Sequence, residues 1–142
     1  MTLHTGETFR LHEERGRRHV VVYFYPKDFT LGCTKEACSF TTHFDDIRKL
    51  NAVIIGISPD SLEMHKEFAA QYQLAFALGS DPRLELARTY GAVWLNGKAM
   101  CRVTYVIDRG GVIRLAAHHE FFINNHWRET IQILQSLNKA ST

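Results

Sequence analysis

Residues 20–58, with the sequence VVVYFYPKDFTLGCTKEACSFTTHFDDIRKLNAVIIGIS, decide the fold of this chain. The two ends of this stretch, Val20–Tyr25 and Val53–Ser58, are short, rich in β-branched residues and apolar on both faces, which is typical of parallel strands buried between helices. Between them lies an apolar stripe at helical spacing, formed by Ala37, Phe40, Phe44 and Ile47. The stripe predicts one helix from about Cys33 to Leu50, and the stretch therefore predicts a β-α-β unit.

Two more helices and a short strand are predicted after this unit. Asp60 and Glu63 have the spacing of a capping box and predict a helix that opens after Pro59. Residues 74–78 are a plausible short strand. Asp81 followed by Pro82 indicates the start of a third helix, over residues 84–90.

The last third of the chain predicts a hairpin and a final helix. Val103–Ile107 and Val112–Ala116 flank the turn Asp108–Gly111, which indicates two antiparallel strands. Asn124 or Asn125 is the expected cap of a helix with an apolar stripe formed by Trp127, Ile131, Leu134 and Leu137. Alternating strands and helices with a terminal hairpin predict an α/β fold, a central mixed sheet flanked by helices in thioredoxin-like order.

Length and composition predict a single domain over residues 1–142. The chain is 45% hydrophobic and 23% charged, which excludes disordered, collagen-like and disulfide-scaffold classes. Its net charge of +2 calls for no nucleic-acid or membrane partner. The longest apolar run, Val20–Tyr25, is far shorter than the roughly 20 residues of a membrane-spanning helix. Because the N-terminus has charges of both signs and no signal-peptide pattern, we expect a cytoplasmic protein.

The three cysteines are Cys33, Cys38 and Cys101. This count is odd and low for an extracellular disulfide framework, and in a reducing compartment cysteines more often serve chemistry or metal binding. Cys33 follows a buried strand and a loop and falls in the first turn of the predicted helix. The unpaired N–H groups and the positive dipole end of a helix favour a thiolate there, which makes Cys33 the candidate nucleophile.

The residues around Cys33 carry a family resemblance. Pro26, Thr30 and Cys33 form the pattern P-x-x-x-T-x-x-C, Glu36 follows three residues later, and Arg102 precedes the sequence VTYVID. In these motifs, and over nearly its whole length, the chain resembles the Q-type peroxiredoxins, the bacterioferritin-comigratory-protein group. The segment before the first strand is short by comparison, so the N-terminal hairpin is expected to be shortened.

The resemblance implies a thiol-dependent peroxidase that acts on hydrogen peroxide and alkyl hydroperoxides without haem, flavin or metal. By this resemblance Cys33 is the peroxidatic cysteine, which attacks the terminal peroxide oxygen and becomes a sulfenic acid. Pro26 would shield the thiolate, and the Thr30 hydroxyl would hydrogen-bond both thiolate and peroxide. Arg102 would hold both as a cation, and Glu36 would orient Arg102.

Cys38 lies five residues after Cys33, which in an intact helix separates the two Cα atoms by roughly 8.6 Å. A disulfide tolerates up to about 7 Å, so a bond between the two requires the first turns of the helix to unwind. The resemblance implies that Cys38 resolves the sulfenic acid in this way and that thioredoxin or a similar dithiol then reduces the disulfide. A monomer or weak homodimer is expected.

Two alternatives remain open from the residues alone. The first is a thioredoxin-like disulfide oxidoreductase that uses Cys33 and Cys38, although such enzymes have a C-x-x-C spacing. The second is a non-enzymatic peroxide sensor that forms a mixed disulfide with a partner protein, because sensor and scavenger need the same thiolate.

The remaining cysteine and the C-terminal histidines are expected to take no part in the chemistry. Strand alternation sends Cys101 and Arg102 to opposite faces, so Cys101 should be a buried thiol directed away from Cys33. His118, His119 and His126 could suggest a metal, but no C-x-x-C pair accompanies them. We therefore expect surface histidines beside a helix start.

Overall fold

A mixed five-stranded sheet runs through the centre of the computed structural model, which describes residues 1–95 and 97–140. Its strands are β1 (His19–Phe24), β2 (Ala52–Ser58), β3 (Ala77–Ser80), β4 (Val103–Ile107) and β5 (Ile113–His118). They lie in the order β3-β2-β1-β4-β5, in which β1 to β3 are parallel and β4 and β5 are antiparallel to their neighbours. Every residue of β1 is buried, as its apolar run predicts for a central strand.

Helices cover both faces of this sheet in the described part of the chain. They are α1 (Leu11–Glu14), α2 (Leu31–Thr42), α3 (Phe44–Lys49), α4 (Leu62–Tyr72), α5 (Glu85–Tyr90) and α6 (Asn124–Ala140). Apolar residues of α2, α3, α4 and α6 form the core on one face, and those of α1 and α5 pack against the other. The predicted mixed sheet flanked by helices is confirmed.

The single helix predicted from Cys33 to Leu50 is wrong, because the structure has two helices that meet at His43. The backbone of His43, at φ −99° and ψ 11°, leaves the helical region between α2 and α3. Its ring stacks on Trp127 of α6, with 3.6 Å between ring centroids. Phe40 before the break and Ile47 after it are both fully buried, so the apolar stripe continues across the bend and conceals it.

Two other predicted boundaries move by one to three residues. The residue that caps α4 is Ser61 rather than Asp60, since the Ser61 hydroxyl accepts a hydrogen bond from the Met64 N–H. The strand predicted over residues 74–78 begins at Ala77, where the parallel register with β2 pairs Ala77 with Ile55. Residues between α4 and this register are therefore loop.

The starts of α5 and α6 also differ slightly from prediction. Leu84 has a left-handed backbone, with φ 59°, so α5 begins one residue later than expected. The Asp81 carboxylate still accepts hydrogen bonds from the N–H groups of Leu86 and Ala87, as expected of an acid at a helix start. Asn124 is the first residue of α6 rather than a residue ahead of it.

The segment before β1 turns back on itself as a short antiparallel hairpin, in which the Leu3 N–H donates to the Glu7 carbonyl and the Phe9 N–H to the Met1 carbonyl. Isolated bridges join Thr2 to Thr8 and Leu3 to Gly79, so the segment attaches to the edge strand β3. Among the helices that the structure describes, none has both the length and the apolar character needed to cross a membrane.

Candidate active site

Cys33 is the third residue of α2 and follows the loop that leaves the carboxyl end of β1. Its side chain is buried, with 1% of the residue exposed. Nη2 of Arg102 donates a hydrogen bond to the Cys33 sulfur at 3.1 Å. A guanidinium and the positive end of a helix therefore meet at one sulfur atom, and both stabilise negative charge on it.

Arg102 lies at the entrance to β4 and is buried with Cys33. Its Nη1 donates a hydrogen bond to Oε1 of Glu36 at 2.8 Å, while its Nη2 contacts the sulfur. Glu36 follows Cys33 by three residues, so the two side chains lie on the same face of α2. The carboxyl group thereby holds the planar fork of the guanidinium in place. Nε of Arg102 is buried and has no acceptor within the described residues.

The structure places Pro26 and Thr30 in the loop between β1 and α2, where both are exposed. Thr30 is the residue before the first turn of α2, but its hydroxyl donates to the Lys27 carbonyl oxygen at 2.8 Å. The expected hydrogen bond from Thr30 to Cys33 is not formed among these described residues. The loop conformation directs the Thr30 hydroxyl proton to a carbonyl of the same loop. The spacing of Pro26, Thr30 and Cys33 in the sequence cannot show this direction.

His126 is not on the surface, and that expectation is wrong. It is fully buried, its Nε2 donates to the His119 carbonyl, and its Nδ1 accepts from the Thr104 hydroxyl. Burial lowers the pKa of this imidazole to about 4, so the ring is neutral. His118 is exposed and His119 half-buried.

Glu36 lies beside this neutral ring, with 3.5 Å between its Oε2 and Nδ1 of His126. Burial raises the pKa of the Glu36 carboxyl to about 8, although the charge and hydrogen bond of Arg102 oppose the shift. In the unfolded chain the same carboxyl has a pKa of 4.5. Folding therefore favours the protonated carboxyl, and the Glu36 contribution to stability falls as pH rises from about 4.5 to about 8.

We predict that Glu36→Gln removes this part of the pH dependence. The glutamine keeps an oxygen for Nη1 of Arg102 but cannot titrate, so the fall in the free energy of unfolding across this window should be smaller than in wild type by a few kcal/mol, an order-of-magnitude figure. Denaturant unfolding of both proteins at pH values below, within and above the window measures this difference. Parallel pH curves for the two proteins would contradict it.

Gly32 lets Arg102 approach the sulfur closely. A Cβ atom at this position would lie 3.1 Å from Nη2 of Arg102 and 3.8 Å from Cδ1 of Ile123. The guanidinium would have to move by a few tenths of an ångström to make room. An alanine here is otherwise favourable, because it is a better helix former than glycine by about 1 kcal/mol.

We predict that Gly32→Ala slows oxidation of Cys33 by peroxide about 10-fold, because a small displacement of a positioning group is costly in a reaction that depends on alignment. Stability should stay the same or rise. Stopped-flow oxidation of the reduced protein measures the rate, and thermal unfolding is the control. A variant of wild-type stability and wild-type oxidation rate would refute the positioning role of this glycine.

A second buried polar cluster, which sequence reasoning missed, fixes the loop before α2. The Asp28 carboxylate accepts a hydrogen bond from the Tyr25 hydroxyl at 2.6 Å and lies 2.5 Å from Nδ1 of His65. Nε2 of His65 faces the Gly79 carbonyl at 3.0 Å. The Asp28 N–H also donates to the Asp60 carboxylate at 2.7 Å. Asp28 therefore joins the active-site loop to α4 and to the ends of β2 and β3.

The other two cysteines occupy different surroundings. Cys38 is half-buried on α2, which is continuous from Leu31 to Thr42, so Cys33 and Cys38 share one intact helix. Burial raises the pKa of the Cys38 thiol. Cys101 is buried in the core on the opposite face of the sheet from Cys33, as strand alternation predicts. All three are free thiols.

The family of the chain follows from its similarity to known proteins. Residues 1–116 match the profile of the AhpC/TSA family. The chain belongs to the AhpC/TSA family. It is 41% identical to the chloroplastic peroxiredoxin Q of Sedum lineare over 143 residues, covering 94% of this chain and 77% of that protein. It is 41% identical to the peroxiredoxin Q of Populus jackii over 133 residues, covering 93% of this chain and 62% of that protein.

Solved structures agree with the sequence relatives. Peroxidoxin BcpB from Mycobacterium tuberculosis superposes with a TM-score of 0.87 at 31% identity, covering 96% of this chain and 90% of that one. The bacterioferritin comigratory protein of Xanthomonas campestris, which reduces alkyl peroxides, superposes with a TM-score of 0.88 at 28% identity, covering 96% and 90%. The chain is thus a peroxiredoxin of the Q group with a thioredoxin-like fold, and a thiol-dependent peroxidase.

Proposed function

We propose that this peroxiredoxin reduces hydrogen peroxide and alkyl hydroperoxides through Cys33. The observation that carries the proposal is the 3.1 Å contact between Nη2 of Arg102 and the Cys33 sulfur, at the start of a helix. Displacement at a peroxide oxygen needs an anionic nucleophile and donors directed at the oxygens that gain charge. The buried Nε–H of Arg102, which has no acceptor in the described part of the chain, is available as such a donor.

In the first step the Cys33 thiolate forms a bond to the terminal peroxide oxygen and the O–O bond breaks. Cys33 becomes a sulfenic acid, and the leaving oxygen takes up a proton from solvent to become an alcohol or water. Glu36 keeps the guanidinium directed at both sulfur and substrate. Pro26 shields the approach to the thiolate. The Thr30 hydroxyl oxygen accepts a hydrogen bond from the bound peroxide. The bond that this hydroxyl donates to the Lys27 carbonyl holds the Thr30 oxygen in position.

In the second step the Cys38 thiol attacks the sulfenic acid, a disulfide forms and water leaves. The two cysteines share an intact helix, in which five residues separate their Cα atoms by roughly 8.6 Å, too far for a disulfide. The first turns of α2 therefore unwind. Phe29, just before the helix, has a left-handed backbone with φ 65°, and such a conformation is unfavourable for a residue other than glycine. This strain reduces the cost of opening the helix.

A dithiol protein of the thioredoxin kind then reduces the disulfide by thiolate attack, which completes the cycle. Leu31, at the first position of α2, is 90% exposed and lies two residues from Cys33, so the opened helix presents an apolar contact to such a protein. We further propose that the chain works as a monomer or weak homodimer in the cytoplasm, without nucleic acid, membrane, cofactor or metal in the peroxidase reaction. These features remain predictions.

We predict that Cys38→Ser leaves the first oxidation of Cys33 within about twofold of wild type, because Cys38 does not contact the reacting sulfur. The variant should stop at the sulfenic acid and show no intrachain disulfide. Intact-mass measurement after one equivalent of peroxide, with a reagent that traps sulfenic acid, distinguishes the two states. Sustained turnover of Cys38→Ser with thioredoxin at the wild-type rate would overturn the resolving role but not the peroxidatic role of Cys33.

Turnover measurements with excess peroxide and a supplied reductant separate the remaining alternatives. A peroxidase consumes many equivalents of peroxide per chain when reductant is supplied, whereas a sensor is oxidised once and waits for its partner. A disulfide oxidoreductase would reduce protein disulfides without peroxide. The contact between Arg102 and Cys33 supports the peroxidase, since C-x-x-C chemistry needs no guanidinium at the nucleophile.

A further inference from the structure

Three side chains of metal-binding type meet at the open end of the β4–β5 hairpin, on the side of the sheet away from Cys33. They are Cys101, His118 and Glu120, and one ligand atom of each lies within 4.8 Å of the other two. We call this group the Cys101 cluster. Cys101 is buried, Glu120 is half-buried and His118 is exposed, so the cluster lies at the protein surface with its cysteine in the interior.

The strand register explains why these residues meet. Val103 of β4 pairs with His118 at the end of β5. If this antiparallel pairing is continued two residues beyond the strand ends, Cys101 lies opposite Glu120. Alternate residues share a face, so Cys101 and Val103 lie on the same side as His118 and Glu120. Nε2 of His118 is already within 2.6 Å of Oε2 of Glu120. The hairpin therefore assembles sulfur, nitrogen and oxygen donors from two strand ends.

We propose that the Cys101 cluster binds one Zn²⁺ ion. Thiolate, imidazole and carboxylate are the three ligand types that Zn²⁺ takes in proteins, at distances of about 2.0–2.3 Å. The edges of a tetrahedron with such bonds measure about 3.3–3.6 Å, so ligand atoms that already lie within 4.8 Å need to move by only about 1 Å. The exposed side of the cluster leaves the fourth position to water.

The charge and proton balance of the site is favourable. Zn²⁺ forms a bond to the Cys101 sulfur, and the thiol proton is released to solvent. The ion also replaces the hydrogen bond between His118 and Glu120, and His118 then binds through Nε2 as a neutral imidazole with its proton on Nδ1. One thiolate and one carboxylate neutralise the two positive charges, so the occupied site holds no uncompensated charge beside the core.

The hydrogen bond that links the site to the peroxidase centre runs to the backbone of Arg102 and not to its side chain. Glu120 accepts a hydrogen bond from the backbone N–H of Arg102 at 2.9 Å, and Cys101 directly precedes Arg102 in the chain. The side chain of Arg102 points the other way, to Cys33. Metal binding can therefore be measured separately from peroxide reduction.

The test uses the full chain with Cys33→Ser and Cys38→Ser, in which Cys101 is the one remaining thiol. Co²⁺ added as a spectroscopic substitute should give a thiolate-to-metal charge-transfer band and the visible bands of a tetrahedral site, both abolished by one equivalent of Zn²⁺. On this background His118→Ala should weaken the affinity for Zn²⁺ by at least about 10- to 100-fold. The matched control is His119→Ala, which should leave the affinity for Zn²⁺ unchanged. His119 is the neighbouring histidine, but it pairs with Glu129.

Absence of the thiolate band, or equal affinities of the His118→Ala variant and its parent, would overturn the proposal. If the doubly substituted chain does not fold, the wild-type reduced protein gives the answer by another route. One equivalent of Zn²⁺ should then protect Cys101 from alkylation, as measured by peptide mass mapping, and His118→Ala should abolish that protection. Equal alkylation of Cys101 with and without Zn²⁺ would also refute the site.

Discussion

Serine in place of Cys33 is expected to lower peroxide turnover at least about 1,000-fold, the loss typical of removing a nucleophile. A serine hydroxyl stays protonated near neutral pH, so neither Arg102 nor the start of α2 has an anion to stabilise. The substitution changes one buried atom, and the fold should persist. Peroxide consumption with thioredoxin as reductant gives the rate, and an unchanged thermal unfolding curve shows that the fold is intact.

Cys101→Ser is the matched control for this prediction. Cys101 is also a buried thiol, but it lies on the opposite face of the sheet, so this variant should keep the wild-type peroxidase rate in the absence of added metal. A folded Cys33→Ser protein that still consumes peroxide at the wild-type rate would exclude Cys33 as the peroxidatic residue. Loss of activity in a Cys101→Ser protein with an unchanged thermal unfolding curve would show that Cys101 also contributes to the reaction.

Substitution of Arg102 should produce the second largest effect. Arg102→Gln removes the charge that stabilises the thiolate and the leaving oxygen, and we expect oxidation of Cys33 to slow by about 100- to 1,000-fold. The variant also takes away the hydrogen bond that Nη1 of Arg102 donates to the buried Glu36 carboxyl, which should cost about 1–3 kcal/mol of stability. The Glu36 carboxyl would then stay protonated to a higher pH.

Arg102→Lys tests whether geometry matters beyond charge. A guanidinium donates to the Cys33 sulfur and to Glu36 through two nitrogens of one rigid plane, whereas an ammonium is a single point charge on a flexible stem. The lysine variant should therefore recover only part of the lost rate. Stopped-flow oxidation measures both variants, with Arg114→Lys on β5 as a control that should behave as wild type. Full activity in Arg102→Lys would show that charge alone suffices.

The central fold was predictable because its signals are local. The apolar run of β1 and the alternation of strands and helices need only neighbouring residues to be interpreted, and both are confirmed. The bend at His43 was not predictable, because the apolar stripe runs through it and the residue at the bend stacks on Trp127 of a helix distant in sequence. Periodicity indicates which side of a segment is buried but not whether the segment is straight.

In the active site, too, features set by neighbouring residues were predictable, and features set by distant contacts were not. Cys33 and Glu36 lie one helical turn apart, so their shared face follows from sequence spacing. The direction of the Thr30 hydroxyl and the burial of His126 depend on how a loop and a helix pack, and both expectations failed. Asp28 and His65 are 37 residues apart, and no spacing rule links them. The interactions that position the active-site loop therefore had to be found in three dimensions.

The fixed loop and the buried aromatic side chain on α2 set limits to the motion that disulfide formation requires. Asp28 is held by hydrogen bonds to Asp60 and His65, and Phe40 is fully buried and stacked on Tyr23. Cys33 and Cys38 both lie in the eleven residues between these two fixed positions. Coil segments of this size return to a helix within about a microsecond. Refolding of the helix after the disulfide is reduced should therefore be much faster than the encounters with peroxide and with the reducing protein that each cycle requires.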